Sequence, residues 1–256
     1  MTEPSQIFTK IKDRKTRLKI SLAAVALGLW LIAAVPAQAA NKVSSPDVTK
    51  GQIEVEYRGG YDRDEKPSQD GQQTHKFVTN YGLTDRWRME AKAVFSGPSG
   101  DLDWTGIEYS NRYQFLKEGE GWLRLSAQAN YKFSLVDAKP DKLEITALGA
   151  KDTGSFTHFA NVNFENELGY NAKGGTDINL AWKTKYRFDP LFEPGGEFYA
   201  DFGKTSGDNV KKYQIGPAIS GKLGTGVKYD LGYLFGLNQN VPDGRLKLIL
   251  TYSFKP

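Results

Sequence analysis

The sequence contains no cysteine, and apolar residues make up only 39% of its 256 residues. Without cysteine the chain has no disulfide bond, no thiolate metal site and no attachment point for a lipid anchor. The apolar fraction is below the ~45–50% that is usual in globular domains, although 12% of the residues are aromatic. A chain with this composition would make a poor conventional hydrophobic core.

Long apolar runs are also scarce, and the one uncharged run, ISLAAVALGLWLIAAV at positions 20–35, follows a basic lead-in. It is shorter than the ~20 residues that a spanning helix needs. Ala37 and Ala39 then flank Gln38 in the A-x-A pattern that a signal peptidase cuts. We expect residues 1–39 to be a cleaved signal peptide, with an uncleaved anchor as the alternative, and residues 40–50 to be a periplasmic segment.

Removing the leader changes the charge of the chain. Six of the 34 basic and two of the 30 acidic residues lie in the first 39 positions, so residues 40–256 carry 28 of each. The basic pI therefore comes from the leader and does not indicate nucleic-acid binding. We expect no nucleic-acid partner.

From residue 52 onwards, apolar and polar residues alternate in short segments. In RLKLILTYSF, residues 245–254, every second side chain from Leu246 to Phe254 is apolar, as in a strand with one apolar face. About twelve such segments recur, and no window of comparable length has helical spacing. This pattern predicts an all-β, transmembrane, antiparallel up-and-down β-barrel over residues 51–256, with lipid outside and water inside. A soluble sandwich is the alternative.

Polar linkers of alternating length separate the segments. If both termini are periplasmic, the odd-numbered linkers, which include the longest and most polar, point outward as cell-surface loops. Aromatic residues cluster at the predicted strand ends, as in the girdles at membrane–water boundaries. One rim carries Trp87, Trp122, Phe188 and Phe254, and the other carries Trp104, Phe133 and Phe235.

Two stretches resemble known proteins. NYGLTDRWRMEAKAVF (residues 80–95) resembles a turn in small Gram-negative outer-membrane barrels, such as those of phenol-degradation (MetA-type) pathways. GPAISGKLGTGVKYDLGYLFGLNQNVPDGRLKLILTYSF (residues 216–254) is similar to the final hairpins of such barrels. The resemblance implies a porin-like transporter whose last strand is recognised by the barrel-assembly machinery. Here Lys255 and Pro256 follow the terminal aromatic, whereas such signals commonly stop at it.

The inward-facing row is rich in charges of both signs. Two arrangements are open: cross-strand ion pairs that half-close the lumen, or basic and acidic tracks along opposite walls of a narrow channel. The predicted lumen-lining set, with candidate solute contacts, is Arg58, Arg88, Lys92, Arg112, Arg124, Lys132, Lys183, Lys185, Arg187, Glu54, Glu56, Glu90, Glu108, Glu165 and Asp177. Three cations on one predicted strand, Lys183, Lys185 and Arg187, would suit a carboxylated solute.

The sequence offers little for catalysis or metal binding. Barrel lipid hydrolases resemble one another in placing Ser two positions from His, and neither His75 nor His158 has that neighbour. Ser155 and His158 are three apart, so in a strand they face opposite sides. Asp62, Asp64 and Asp70 lie in a solvated loop without a calcium-loop pattern. We expect no catalytic residue, metal or cofactor.

These patterns predict an exported outer-membrane barrel that contacts lipid and acts as a porin-like channel for small polar or acidic solutes. A non-conducting structural or interaction barrel is the second hypothesis, and a membrane-embedded lipid hydrolase is the third.

Overall fold

The computed structural model describes residues 41–207 and 209–256, so the predicted signal peptide lies outside the described residues. Twelve antiparallel strands form one closed barrel, in which each strand pairs with its sequence neighbours and the first pairs with the last. The strands are β1 (Ile53–Arg63), β2 (Gln72–Gly82), β3 (Trp87–Pro98), β4 (Asp103–Leu116), β5 (Arg124–Ser134), β6 (Asp141–Thr153), β7 (Phe156–Leu168), β8 (Asp177–Tyr186), β9 (Glu193–Lys204), β10 (Lys212–Leu223), β11 (Val227–Gly236) and β12 (Gly244–Phe254). The predicted fold class and strand number are confirmed.

The barrel is polar inside and apolar outside, the reverse of a soluble protein. Glu56 and Lys92 face the lumen and are 2% and 6% exposed, whereas Val55 and Phe77 face outward and are 51% and 52% exposed. Because side chains alternate along a strand, the apolar row of each segment is the outer face. This arrangement contradicts the soluble sandwich, whose large apolar side chains would be buried.

The two ends of the barrel differ in their connections. We call the end where β1 begins and β12 ends the terminal end, and the other the distal end. The distal connections span 64–71, 99–102, 135–140, 169–176, 205–211 and 237–243, and most are longer than the terminal ones at 83–86, 117–123, 154–155, 187–192 and 224–226. No helix within residues 41–207 and 209–256 is long and apolar enough to cross a membrane.

Several strands are longer than the alternation indicates. The stretch DPLFEPG, residues 189–195, reads as a connection, yet β9 begins at Glu193. Pro194 and Gly195 are turn signals, but they pair with Ile219 and Ala218 of β10. The neighbouring strand therefore extends β9 towards the terminal end where the local sequence predicts a turn.

The seven aromatic residues of the predicted girdles all lie on the outer surface. Their side chains are 38–74% exposed, and Trp122 is the most exposed of them. The Lys151 ammonium lies 4.7 Å from the centre of the Trp122 ring. Contact of these rings with the two membrane boundaries remains a prediction.

The segment before β1 lies inside the barrel. We call residues 41–49 the strap. The sequence predicts a periplasmic segment at residues 40–50, but Val43, Pro46 and Val48 of the strap are buried against the lumen wall. The strap has no regular secondary structure, so its backbone groups need partners from the surrounding strands.

Candidate functional site

One wall of the lumen holds the strap through its backbone. The Val48 amide donates to Gln114 Oε1 of β4 at 3.0 Å, and the Pro46 carbonyl accepts from Ser126 Oγ of β5 at 2.5 Å. Asn161 of β7 makes two bonds to Ser44: its Oδ1 accepts from the amide at 2.6 Å, and its Nδ2 donates to the carbonyl at 2.9 Å. These bonds replace the water that the strap backbone would otherwise need.

Side chains of the strap also reach the opposite wall. Lys42 Nζ lies 2.5 Å from Glu56 Oε2 of β1. Asn41 donates to Gln214 of β10 at 3.2 Å and accepts from Arg245 of β12 at 3.3 Å. The strap therefore crosses the lumen, with contacts on both walls.

A cavity lies on either side of the strap. The cavity towards the terminal end has a volume of about 310 Å³, and its lining includes Asn80 and Lys222. The cavity towards the distal end has a volume of about 590 Å³, and its lining includes Asn163 and Pro242. Lys42 and Ser44 line both cavities. The strap thus lies between two chambers and contributes side chains to the lining of both.

Seven of the fifteen predicted lumen charges are joined in one buried ion-pair network on β1, β3 and β4. Lys92 Nζ lies 2.9 Å from both Glu90 and Glu108, and Arg58 pairs with Glu56 and, at 3.6 Å, with Glu90. Arg88 links Glu90 at 3.1 Å to Glu54 at 3.3 Å. Opposite charges this close offset part of the free energy that is lost when the groups leave water. Of the two predicted arrangements, the structure contains the ion-paired one.

Of the other eight predicted residues, all but Arg112 are also paired with an opposite charge. Lys132 lies 2.9 Å from Glu144 and 2.5 Å from Glu165, and Lys185 lies 2.5 Å from Glu193. Lys183 pairs with Glu197 at 3.0 Å and with Asp230, and Asp177 lies 4.0 Å from Lys204. The cations proposed for a carboxylated solute are therefore already neutralised by the protein.

Three of the predicted lumen-lining arginines make contacts that the sequence does not predict. Arg187 follows the end of β8 and binds Asp152 and the Phe156 carbonyl at the terminal rim, so it does not share the lumen row of Lys183 and Lys185. Arg124 binds Asp47 of the strap at 2.7 Å. Arg112 has no carboxylate within 4.0 Å among the described residues; it donates to Gln128 and, at 2.5 Å, to the Ser45 carbonyl.

The sequence-based set omits one buried cluster. Lys247 of β12 is 1% exposed and lies 2.6 Å from Glu197 of β9 and 3.4 Å from Asp230 of β11. Alternation places all three residues on the inner face. It does not reveal which of them meet, because β9 and β12 are separated by two strands.

The residues considered for catalysis or metal binding make contacts with other side chains. His158 binds Thr184 at 2.9 Å on the outer face, whereas Asn161 faces the strap. Ser155 lies in the connection between β6 and β7. His75 binds Tyr57 at 2.7 Å. Asp62 binds Arg245 at 2.6 Å. These side chains do not form a nucleophile–base pair or a shared ion site.

Comparison with solved structures identifies barrels of the same architecture. An outer-membrane channel from Pseudomonas putida F1 gives a TM-score of 0.62 at 14% identity, over 84% of this chain and 100% of that chain. A KdgM porin in complex with disordered oligogalacturonate gives 0.57 at 10% identity, over 79% and 99%. A NanC porin gives 0.56 at 10% identity, over 79% and 100%.

No protein-family model matches the chain, and no curated protein matches it in sequence. At 10–14% identity, the structural matches concern the fold alone. The chain has the fold of small twelve-stranded β-barrels of the Gram-negative outer membrane.

Proposed function

We propose that this protein is a narrow outer-membrane channel for the passive movement of small polar solutes, constricted by the strap. The observation that carries the proposal is the pair of polar chambers, about 310 and 590 Å³, on either side of the strap. The porin fold of the structural neighbours supports the same function. The inner charges give no single-sign ring, so strong ion selectivity is not expected.

Location and assembly are part of the proposal. Residues 1–39 would direct export as a signal peptide, and residues 51–256 would form the membrane domain in contact with lipid. Strand β12 closes the barrel against β1 through eleven residue pairs, from Phe254 with Ile53 to Gly244 with Arg63. A terminal strand in this position suits recognition by the barrel-assembly machinery.

The second candidate function is a non-conducting structural barrel. The observation in its favour is that the strap crosses the lumen and that most of the inner charges are paired. Conduction distinguishes the two candidates, because a structural barrel carries no ion current.

Planar-bilayer recording tests the channel. Purified chain beginning at residue 40, refolded and inserted into a bilayer, is expected to give discrete small conductance steps, because the polar chambers support ion passage on both sides of the strap. The same preparation denatured by heat serves as the control for contaminating pores. Silence of the folded protein across voltages and salts would contradict the channel and favour the structural barrel.

A further inference from the structure

We infer that the larger chamber contains a binding site for a neutral, polyhydroxylated solute, such as a sugar or polyol. The inference rests on the proposed channel for its biological role, since the site lies in the lumen. Its chemistry follows from a row of amide and hydroxyl side chains on one wall of this chamber.

The row runs across four adjacent strands at one height. Gln128 of β5 pairs with Thr146 of β6, Thr146 pairs with Asn163 of β7, and Asn163 pairs with Asn179 of β8. All four residues line the 590 Å³ chamber. Because neighbouring strands lie about 4.8 Å apart, the row is roughly 14 Å long. We call these four residues the amide row.

Much of the hydrogen-bonding capacity at this wall is unused by the protein. Thr146 is 5% exposed, and its hydroxyl has no partner among residues 41–207 and 209–256. The amides of Asn163 and Asn179 make no hydrogen bond with the described residues and are half-buried. Elsewhere in the chamber lining, Gln214 is 4% exposed, and its Nε2 also lacks a partner within the described chain. Buried polar groups are normally hydrogen-bonded, so the Thr146 hydroxyl and the Gln214 Nε2 are available to bind water or a solute in the chamber.

The ion pairs of the chamber disfavour charged solutes. All eight cations in the lining have a carboxylate within 4.0 Å: they are Lys42, Arg58, Lys76, Lys92, Lys132, Lys142, Lys212 and Arg245. An acidic solute would therefore have to break an existing pair. The six carboxylates of the lining are paired in the same way, which disfavours a cationic solute.

An apolar solute is also disfavoured, because it would leave the Thr146 hydroxyl and the free amides without partners. Amide groups both donate and accept, as do the hydroxyls of a sugar or polyol. The chamber volume lies within the range of about 300–1,000 Å³ typical of small-molecule sites. A neutral polyhydroxylated molecule satisfies the row without disturbing the ion pairs.

Glucose and sodium glucuronate are suitable probes, because they share a ring and differ by a carboxylate. We expect saturation-transfer NMR on the full mature chain in detergent to give saturable binding of glucose and weaker binding of glucuronate. The double variant N163L/N179L is expected to weaken glucose binding about tenfold or more, the effect of losing one or two hydrogen bonds. The isosteric variant T146V, which removes the Thr146 hydroxyl, is also expected to weaken glucose binding.

The matched control is N80L. Asn80 is also a lumen amide without a hydrogen-bond partner in the described part of the chain, but it lines the smaller chamber on the other side of the strap. N80L should leave glucose binding unchanged. Heat-modifiable gel mobility first shows which variants are folded, and only folded variants are compared. If N163L/N179L does not fold, T146V alone tests the amide row.

Four results would overturn the site: no saturable glucose binding, glucuronate binding at least as tight as glucose, unchanged binding in the amide-row variants, or an equal loss in N80L. Conductance is recorded on the same preparations. Glucose binding without conductance would support the binding site and contradict the channel. Conductance without glucose binding would support the channel and contradict the binding site.

Discussion

A chain that lacks residues 41–49 is expected to conduct several-fold more current per channel than the chain that retains them. The strap crosses the lumen between the two chambers and is held there by Asn161, Ser126 and Glu56. Removing it joins the chambers into one continuous polar passage. The measurement is single-channel conductance in planar bilayers, with both chains refolded in the same way.

The control for this deletion is the chain that begins at Asn41. Both proteins should show heat-modifiable gel mobility, because the twelve strands begin after the strap. The variant R112Q removes the bond to the Ser45 carbonyl but leaves the other hydrogen bonds of the strap. Its conductance should lie between those of the deletion variant and the control. Equal conductance with and without the strap would show that it does not set the constriction.

Replacing Lys247 with Met is expected to destabilise the folded barrel by about 3–5 kcal/mol, the cost of leaving a buried charge without its partner. Lys247 is 1% exposed and lies 2.6 Å from Glu197, which is 2% exposed. Its removal leaves Glu197 and Asp230 sharing Lys183 alone. The free energy of unfolding in urea, followed by tryptophan fluorescence in lipid bilayers, measures the effect.

Two variants separate charge compensation from packing. The double variant K247M/E197Q removes one charge of each sign and should recover most of the lost stability. The variant K212M breaks the pair with Asp201, in which the Lys212 side chain is 47% exposed, and should cost less than about 1 kcal/mol. Equal costs for K247M and K212M would show that the inner cluster does not stabilise the barrel.

The sequence predicts the barrel well because one physical constraint acts on every strand. Each strand has an apolar outer face and a polar inner face, so alternation marks it, as in RLKLILTYSF of β12. Strand ends are harder to predict. Pro194 and Gly195 indicate a turn locally, and only their pairing with β10 makes them part of β9.

The functional site is predicted only in part. Alternation identifies which charges face inward, but the partner of each depends on register and on side chains that reach past neighbouring strands, as Lys247 does to Glu197. The strap leaves no periodic signal, because it is neither helix nor strand. Its contacts lie far away in sequence: Ser44 and Asn161 are 117 positions apart.

The central claim is that the apolar faces of the strands meet lipid and the polar faces enclose the lumen. The absence of cysteine makes this measurable by single cysteine substitution and spin labelling along β5, from Leu125 to Tyr131. In lipid bilayers, we predict that oxygen accessibility peaks at Leu125, Ala127, Ala129 and Tyr131 and is lowest at Ser126, Gln128 and Asn130. The opposite phase, or no alternation at all, would contradict the inside-out barrel.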